Sequence, residues 1–438
     1  MGCCFSAMRV QDIYTVFIKH PFICTDSRKS VKGAVFFALR GPSFDGNAFA
    51  REALDRGCAF AVVDDPTVVQ NDRFILVKDS LAALQELAGF HRSHFQIPVL
   101  AITGTNGKTT TKELCHAVLS KKFNLVATPG NLNNHIGVPL TVLSIAEHTE
   151  MAVVEMGANH PGEISTLCRI ARPELGIITN IGRAHLEGFG GFEGVVRAKR
   201  ELYDFIGENG GTLFVNADNE LLMSLSGSIR RVTYGISHPA AITGRCISAD
   251  PFLTVELSDS ALEETCQIRT HLTGRYNLEN ILAAFTAGRL FNVDTARIIQ
   301  AIEQYHPGNM RSQLIDTPHN RVILDAYNAN PSSMEAALTN FASLPGPEKW
   351  VVLGDMLELG PESLSEHHHI IDLILRLNLQ KGILIGEHFA SVSVPPGFRV
   401  FNSHSEARSY LEKHPVRNRL VLLKGSRAMG LETLIGLF

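Results

Sequence analysis

The chain lacks any apolar run near the roughly 18 residues that a membrane-spanning helix requires, so no membrane insertion is expected. Excess charge of one sign is missing too. Its 40 basic and 44 acidic side chains leave a formal charge of −4, which provides no overall field for nucleic acid and leaves only local basic patches for a phosphate ligand. Cysteine is present without pattern: Cys3, Cys4, Cys24, Cys58, Cys115, Cys168, Cys246 and Cys266 form no C-x-x-C pair. Reduced cytosolic thiols are therefore expected, with no disulfide frame or zinc site. The opening Met1 to Ser6 formally fits the acylation pattern M-G-x-x-x-[ST]. It is read as coincidence, with Met8 an equally good start, and it is too short and uncharged for a secretory signal. No repeat or low-complexity tract is evident.

What is present is alternation. At 438 residues the chain exceeds one hydrophobic core, so two or three domains are expected. Strand-like runs at residues 33–39, 60–63, 99–103, 151–155, 175–179, 212–215, 322–324, 350–353, 382–385 and 420–423 alternate with helical patterns. That alternation predicts an α/β protein with largely parallel sheets. Turn-rich segments near residues 94–98 and 306–309 suggest boundaries giving domains 1–95, 96–305 and 306–438. Residues 228–268, rich in β-branched residues and turn formers, read as a strand-rich insertion in the middle one.

The most specific motif begins where the strand at 99–103 runs into Gly104-Thr105-Asn106-Gly107-Lys108-Thr109-Thr110. A glycine-punctuated turn between a buried strand and a helix can wrap backbone N–H groups around phosphates. Lys108 would reach the β/γ-phosphates and Thr109 would put a hydroxyl on Mg²⁺. One expected element is absent here as well: Ile102 stands five places before Gly107, where the common P-loop has glycine.

Other segments add chemistry. Glu155 ends an apolar strand, at the carboxyl edge where parallel sheets bind ligands, and suits Mg²⁺ beside Thr109. His185 follows another strand and loop, and its imidazole could bind a second metal or orient a phosphoryl oxygen. Residues 195–203 read as an amphipathic helix, on which Lys199 by default belongs to a solvated face. The amides of Asn131, Asn133 and Asn134 suit a polar substrate, or else only turn chemistry. Capping alone could explain Asn277 and Asn280. His367-His368-His369 cannot form one facial metal site on a helix and reads as a partly solvated face.

Taken in this order, the motifs resemble the Mur ligase superfamily, the ATP-dependent amide-bond-forming enzymes of peptidoglycan precursor synthesis. The likeness rests on the shortened loop from Thr103 to Thr110 and on Gly130 to Pro139, Glu155 to Ile164 and Ala184 to Gly190. It extends through Asp325 to Met334, Gly354 to Gly360 and Lys424 to Arg427. In the first domain it rests on Thr25 to Arg28, Phe36 to Gly41 and Phe44-Asp45-Gly46.

The resemblance implies a smaller N-terminal α/β domain holding the UDP part of a substrate. It further implies a central P-loop-type mononucleotide-binding parallel sheet and a C-terminal Rossmann-like domain that closes over the nucleotide. Within the family the likeness is strongest to members that join D-alanyl-D-alanine to a UDP-N-acetylmuramoyl-tripeptide, using ATP and Mg²⁺ through an acyl phosphate. It implies that Lys199 is carbamylated and holds a second Mg²⁺ with His185, reversing the surface reading. Asn277, Asp325 and Asn328 fall at nucleotide-contacting positions, and Arg311 falls near the phosphates. Lys108, His185, Lys199 and Arg311 become the catalytic set. Ser27, Arg28, Phe44, Asp45 and Gly46 become substrate contacts, with Asn47 standing where many relatives carry His. A monomer is expected.

Folylpolyglutamate synthase shares the loop's start but usually continues Gly-Ser. The ligase adding the third peptide residue carries Asp-Asn-Pro-Arg, which is absent here. A non-catalytic nucleotide-binding regulator would be expected to have lost Lys108, Glu155, His185 or Lys199, and none is lost.

Overall fold

The computed structural model describes residues 8–29, 31–261, 264–308 and 310–438. The acylation-like opening, with Cys3 and Cys4, lies outside them, as does Asn309 at the second expected boundary. Three sheets carry the α/β architecture. The first is parallel throughout, ordered Ile23–Cys24, Val35–Phe37, Phe60–Val63, Phe74–Leu76. A small hairpin, Arg40–Gly41 with Phe44–Asp45, stands beside it.

The central sheet has nine strands. From one edge they run Leu125–Ala127, Met151–Glu155, Val99–Thr103, Leu175–Ile178, Thr212–Asn216, Arg231–Gly235, Ile242–Ala249, Leu253–Asp259 and Glu264–Arg269. The first seven are parallel and the last two add antiparallel. The burial pattern explains the change. Val99–Thr103 and Met151–Glu155 are buried at every residue, as a strand covered on both faces must be. Their side chains alternate between two cores: Val99, Ala101, Ala152 and Val154 feed one, and Leu100, Ile102, Met151 and Val153 the other. Leu253–Asp259 instead alternates buried with half-buried residues, the pattern of a one-sided antiparallel strand. Residues 228–268 are strand-rich as expected, and their strands extend the central sheet at one edge.

The third sheet is ordered Gln313–Asp316, Arg321–Asp325, Leu420–Lys424, Lys349–Gly354, Gly382–Ile385, Phe398–Phe401, with only its first pair antiparallel. No helix among the described residues is long and apolar enough to cross a membrane.

Two local expectations change. The strands Ile23–Cys24, Phe74–Leu76 and Leu125–Ala127 escape a reading based on alternation because two or three residues show no period. His367, in the helix Ser363–Arg376, is fully buried, unlike the exposed His368. Its Nδ1 bonds the Ser363 carbonyl at 2.7 Å, and its Nε2 accepts from the Met356 N–H at 3.1 Å. A partly solvated face thus describes only its two successors.

Candidate active site

Chain order reverses around Val99–Thr103: the next two strands in sequence lie on one side of it and the third on the other. Such a switch point leaves a crevice at the carboxyl ends of the strands. The Gly104–Thr110 loop fills that position and leads directly into the helix Lys108–Leu119, whose first N–H groups face an incoming anion. Glycine is required at two places. Gly104 and Gly107 have φ of +141° and +79°, and a Cβ would strike Thr179 Oγ1 at the first and lie 2.7 Å from Asn280 Oδ1 at the second.

The loop is clamped from the neighbouring strand end. Asn180 Oδ1 accepts from the Asn106 N–H at 2.9 Å, and Thr179 Oγ1 donates to the Asn106 carbonyl at 2.6 Å. Thr105 Oγ1 accepts from the Gly182 N–H at 2.9 Å. The sequence offers one signal for these clamps, hydroxyl and amide residues directly after an apolar strand.

Lys108 Nζ donates to the Gly104 and Thr105 carbonyls at 2.8 and 2.9 Å. Burial brings its ammonium down to about 8; the Glu155 carboxylate opposes this and the Arg311 cation adds to it. Thr109 Oγ1 donates to Glu155 Oε1 at 3.1 Å, and the other carboxylate oxygen, Oε2, is buried with no protein partner. That orphan oxygen beside a hydroxyl fits a divalent cation. Among the described residues no group of three or more His, Cys, Asp or Glu could cage a metal alone. Nucleotide phosphates and water would have to complete the shell, as Mg²⁺ prefers.

His185 lines the same cleft, with its Nδ1 against the Glu358 carboxylate from the C-terminal sheet's side. Lys199 is only 2% exposed and lies outside the cleft wall, its Nζ 5.6 Å from the Phe189 ring centre. The solvated-face reading of this lysine is wrong, because the helix Phe192–Glu208 turns this residue toward the sheet. Burial, with Lys108 nearby, brings its amine down to about 7 against the pull of Glu163 and Glu201.

The cleft has a volume of about 1180 Å³. Thr105 to Thr110, Asn131, Asn133, Asn134, Glu155, His185, Asn277, Arg311, Asp325 and Asn328 all line it, so most of the expected residues converge. Arg311 sits over Tyr327, its guanidinium carbon 3.8 Å from the ring centre, and its Nε is buried and unpartnered. Asp325 holds Lys424 Nζ at 2.6 Å and the Ser312 N–H at 3.3 Å. Ser27, Arg28, Phe44, Asp45 and Gly46 are not on the cleft wall. Arg28 pairs with Asp26, and Asp45 bonds both the backbone N–H and the side-chain amide of Asn47.

The asparagines separate by role. Asn134 Oδ1 takes the Ile136 and Gly137 N–H groups, which is turn chemistry. Asn280 is no cap: its Oδ1 accepts from Thr111 at 3.0 Å and its Nδ2 donates to Asn277 Oδ1 at 2.8 Å. Asn277 Nδ2 in turn donates to the Thr273 carbonyl at 2.7 Å. Asn330, which the sequence placed in a family-like motif without a role, exchanges hydrogen bonds with Asn106 of the Gly104–Thr110 loop, at 2.9 and 3.4 Å. Lys112, unforeseen in the sequence, is buried one turn beyond Lys108 and holds the Thr128 and Gly130 carbonyls.

Three family models match the chain: "Mur ligase family, catalytic domain" over residues 20–92, "Mur ligase middle domain" over 102–288, and "Mur ligase, glutamate ligase domain" over 310–427. The UDP-N-acetylmuramoyl-tripeptide–D-alanyl-D-alanine ligase of Bacillus subtilis is 34% identical, across 94% of this chain and 92% of its own length. Among solved structures, MurF from Acinetobacter baumannii superposes with a TM-score of 0.87 at 31% identity, covering 98% of each chain. MurF ligase from Thermotoga maritima in complex with ADP gives 0.82 at 26% identity, covering 96% and 97%.

Proposed function

This chain belongs to the Mur ligase family, and on that premise we propose that it joins D-alanyl-D-alanine to a UDP-N-acetylmuramoyl-tripeptide, with ATP as the driving substrate. A free carboxylate has a poor leaving group. The γ-phosphoryl of ATP is therefore transferred to its oxygen, releasing ADP and giving an acyl phosphate. The dipeptide amine then attacks the acyl carbon, loses a proton, and the tetrahedral intermediate collapses with departure of phosphate.

The loop Gly104 to Thr110 cradles the nucleotide phosphates, and Lys108 exchanges its loop carbonyls for phosphoryl oxygens. Arg311, sitting over Tyr327, adds a second fixed cation. Mg²⁺, when bound, neutralises phosphoryl charge; Thr109 and Glu155 would hold one ion, and His185 with a carbamylated Lys199 a second. A buried amine brought down to about 7 is substantially neutral at physiological pH, the form that attacks carbon dioxide. Asn277, Asp325 and Asn328 contact the nucleoside, and Asn131 faces the polar substrate. Ser27, Arg28, Phe44, Asp45 and Gly46 serve the UDP moiety. We read the domains as 1–95, 96–305 and 306–438, and the protein as a cytoplasmic monomer.

The observation that carries this reading is Glu155, whose unpartnered buried oxygen stands beside Thr109 at the phosphate loop. The test is ADP release, with the ligated product identified by mass. Sustained release over many turnovers should need both the tripeptide precursor and the dipeptide, and Lys108→Ala should lower it by about a thousandfold while the circular dichroism spectrum stays unchanged. Ligation by a well-folded Lys108→Ala protein would refute the assignment.

A further inference from the structure

Its amide-rich surroundings predict a substrate reader at Asn133, yet its contacts turn inward. Asn133 Nδ2 donates to Glu155 Oε1 at 2.7 Å, the same oxygen that accepts from Thr109 Oγ1. Both donors load one carboxylate oxygen and leave Oε2 buried and free. The asymmetry has a chemical use. Mg²⁺ demands near-octahedral geometry and takes carboxylates through one oxygen, whereas the larger Ca²⁺ accepts two. A threonine hydroxyl that ligates a cation through its lone pair must still place its proton on an acceptor, and Oε1 is that acceptor.

Building on the ATP-ligase reading, we propose that Asn133 is a positioning residue for the metal carboxylate. It holds Glu155 so that one oxygen faces the cation, and it thereby favours Mg²⁺ over larger ions. Asn133 is itself held in place. Its carbonyl accepts from the Gly157 N–H at 2.8 Å, and its amide lies so close to Gly157 that a Cβ there would sit 2.8 Å from Oδ1. Lys112 anchors the base of the same loop through the Thr128 and Gly130 carbonyls, and Thr128 Oγ1 accepts from the Glu155 N–H at 2.9 Å. The donor's position is thus set by the protein alone.

The test compares Asn133→Ala with the unaltered protein by Mn²⁺ binding in the presence of ADP, followed by electron paramagnetic resonance without turnover. Steady-state dependence on Mg²⁺, Ca²⁺ and the tripeptide precursor is measured separately. We expect Mn²⁺ affinity to fall about tenfold and the preference for Mg²⁺ over Ca²⁺ to narrow, with the precursor KM within about twofold of its original value. Unchanged Mn²⁺ affinity, with or without a raised precursor KM, overturns the proposal. Should Asn133→Ala fail to fold, Gly157→Ala displaces the same amide from outside the loop and must produce the same metal defect. The metal measurement needs only ADP and Mn²⁺, so failure of the ligase reading would show separately, as absence of dipeptide-dependent ADP release.

Discussion

A lysine buried like Lys199 carries a standing penalty, because its charged form has lost its water without gaining a carboxylate bond. The unfolded chain holds this proton up to the ordinary value of 10.5, whereas the folded one releases it near 7. Below about pH 7 both states are protonated and the full penalty remains. Between 7 and 10.5 the unfolded state binds more protons, so the stability associated with this residue rises with pH. In carbon-dioxide-free buffer, Lys199→Met should therefore raise the melting temperature of the ligand-free protein by about 2 °C or more at pH 6, and by less at pH 10. Thermal unfolding at the two pH values decides it; equal shifts would contradict the burial argument. Sequence pattern alone does not distinguish this lysine from a surface one. The helical period of residues 195–203 locates an apolar stripe but does not say that a sheet and the Phe189 ring enclose a charged neighbour of that stripe.

Among the elements, the phosphate loop and its clamps act as one unit. Gly107→Ala would impose a positive φ on alanine at a cost of about 1 kcal/mol and push against Asn280. The KM for ATP should rise about tenfold, measured by nucleotide titration. Adding Asn280→Ala should restore only part of this, because the backbone strain remains. Strands buried on both faces are legible in the sequence: Phe60–Val63, Val99–Thr103, Met151–Glu155 and Gly382–Ile385 fall where apolar runs predict them. Their continuity of apolar residues follows from being covered twice. Two-residue strands carry no such record, and neither do asparagines, whose amides serve turns, helix interiors and ligands with equal chemistry.

Across the whole molecule, the C-terminal sheet's loops and helices meet the phosphate loop and its neighbours through specific pairs. Arg183 bonds Glu366 at 2.6 Å, the Arg183 N–H reaches Ser332 Oγ at 3.0 Å, and Asn330 faces Asn106. These contacts join segments about 150 or more residues apart, so they tie the two sides of the cleft together. Arg183 is half exposed while Glu366 is buried, so the carboxylate's lost hydration offsets the attraction and the pair is worth about 1 kcal/mol or less by itself. Glu366→Gln should keep the melting temperature nearly unchanged yet raise the radius of gyration of the ligand-free protein in small-angle X-ray scattering. An unaltered radius would mean that this pair does not hold the two sides of the cleft together. Local order sufficed to specify the α/β class, the phosphate loop and the strand-end carboxylate Glu155, because glycine spacing and apolar runs act over a few residues. Resemblance across the chain supplied the ligase chemistry. Folding alone decided that Lys199 is buried, that Asn133 turns to Glu155, and that Asn330 meets Asn106. Each of these depends on which distant surfaces pack together, and no short-range pattern encodes that.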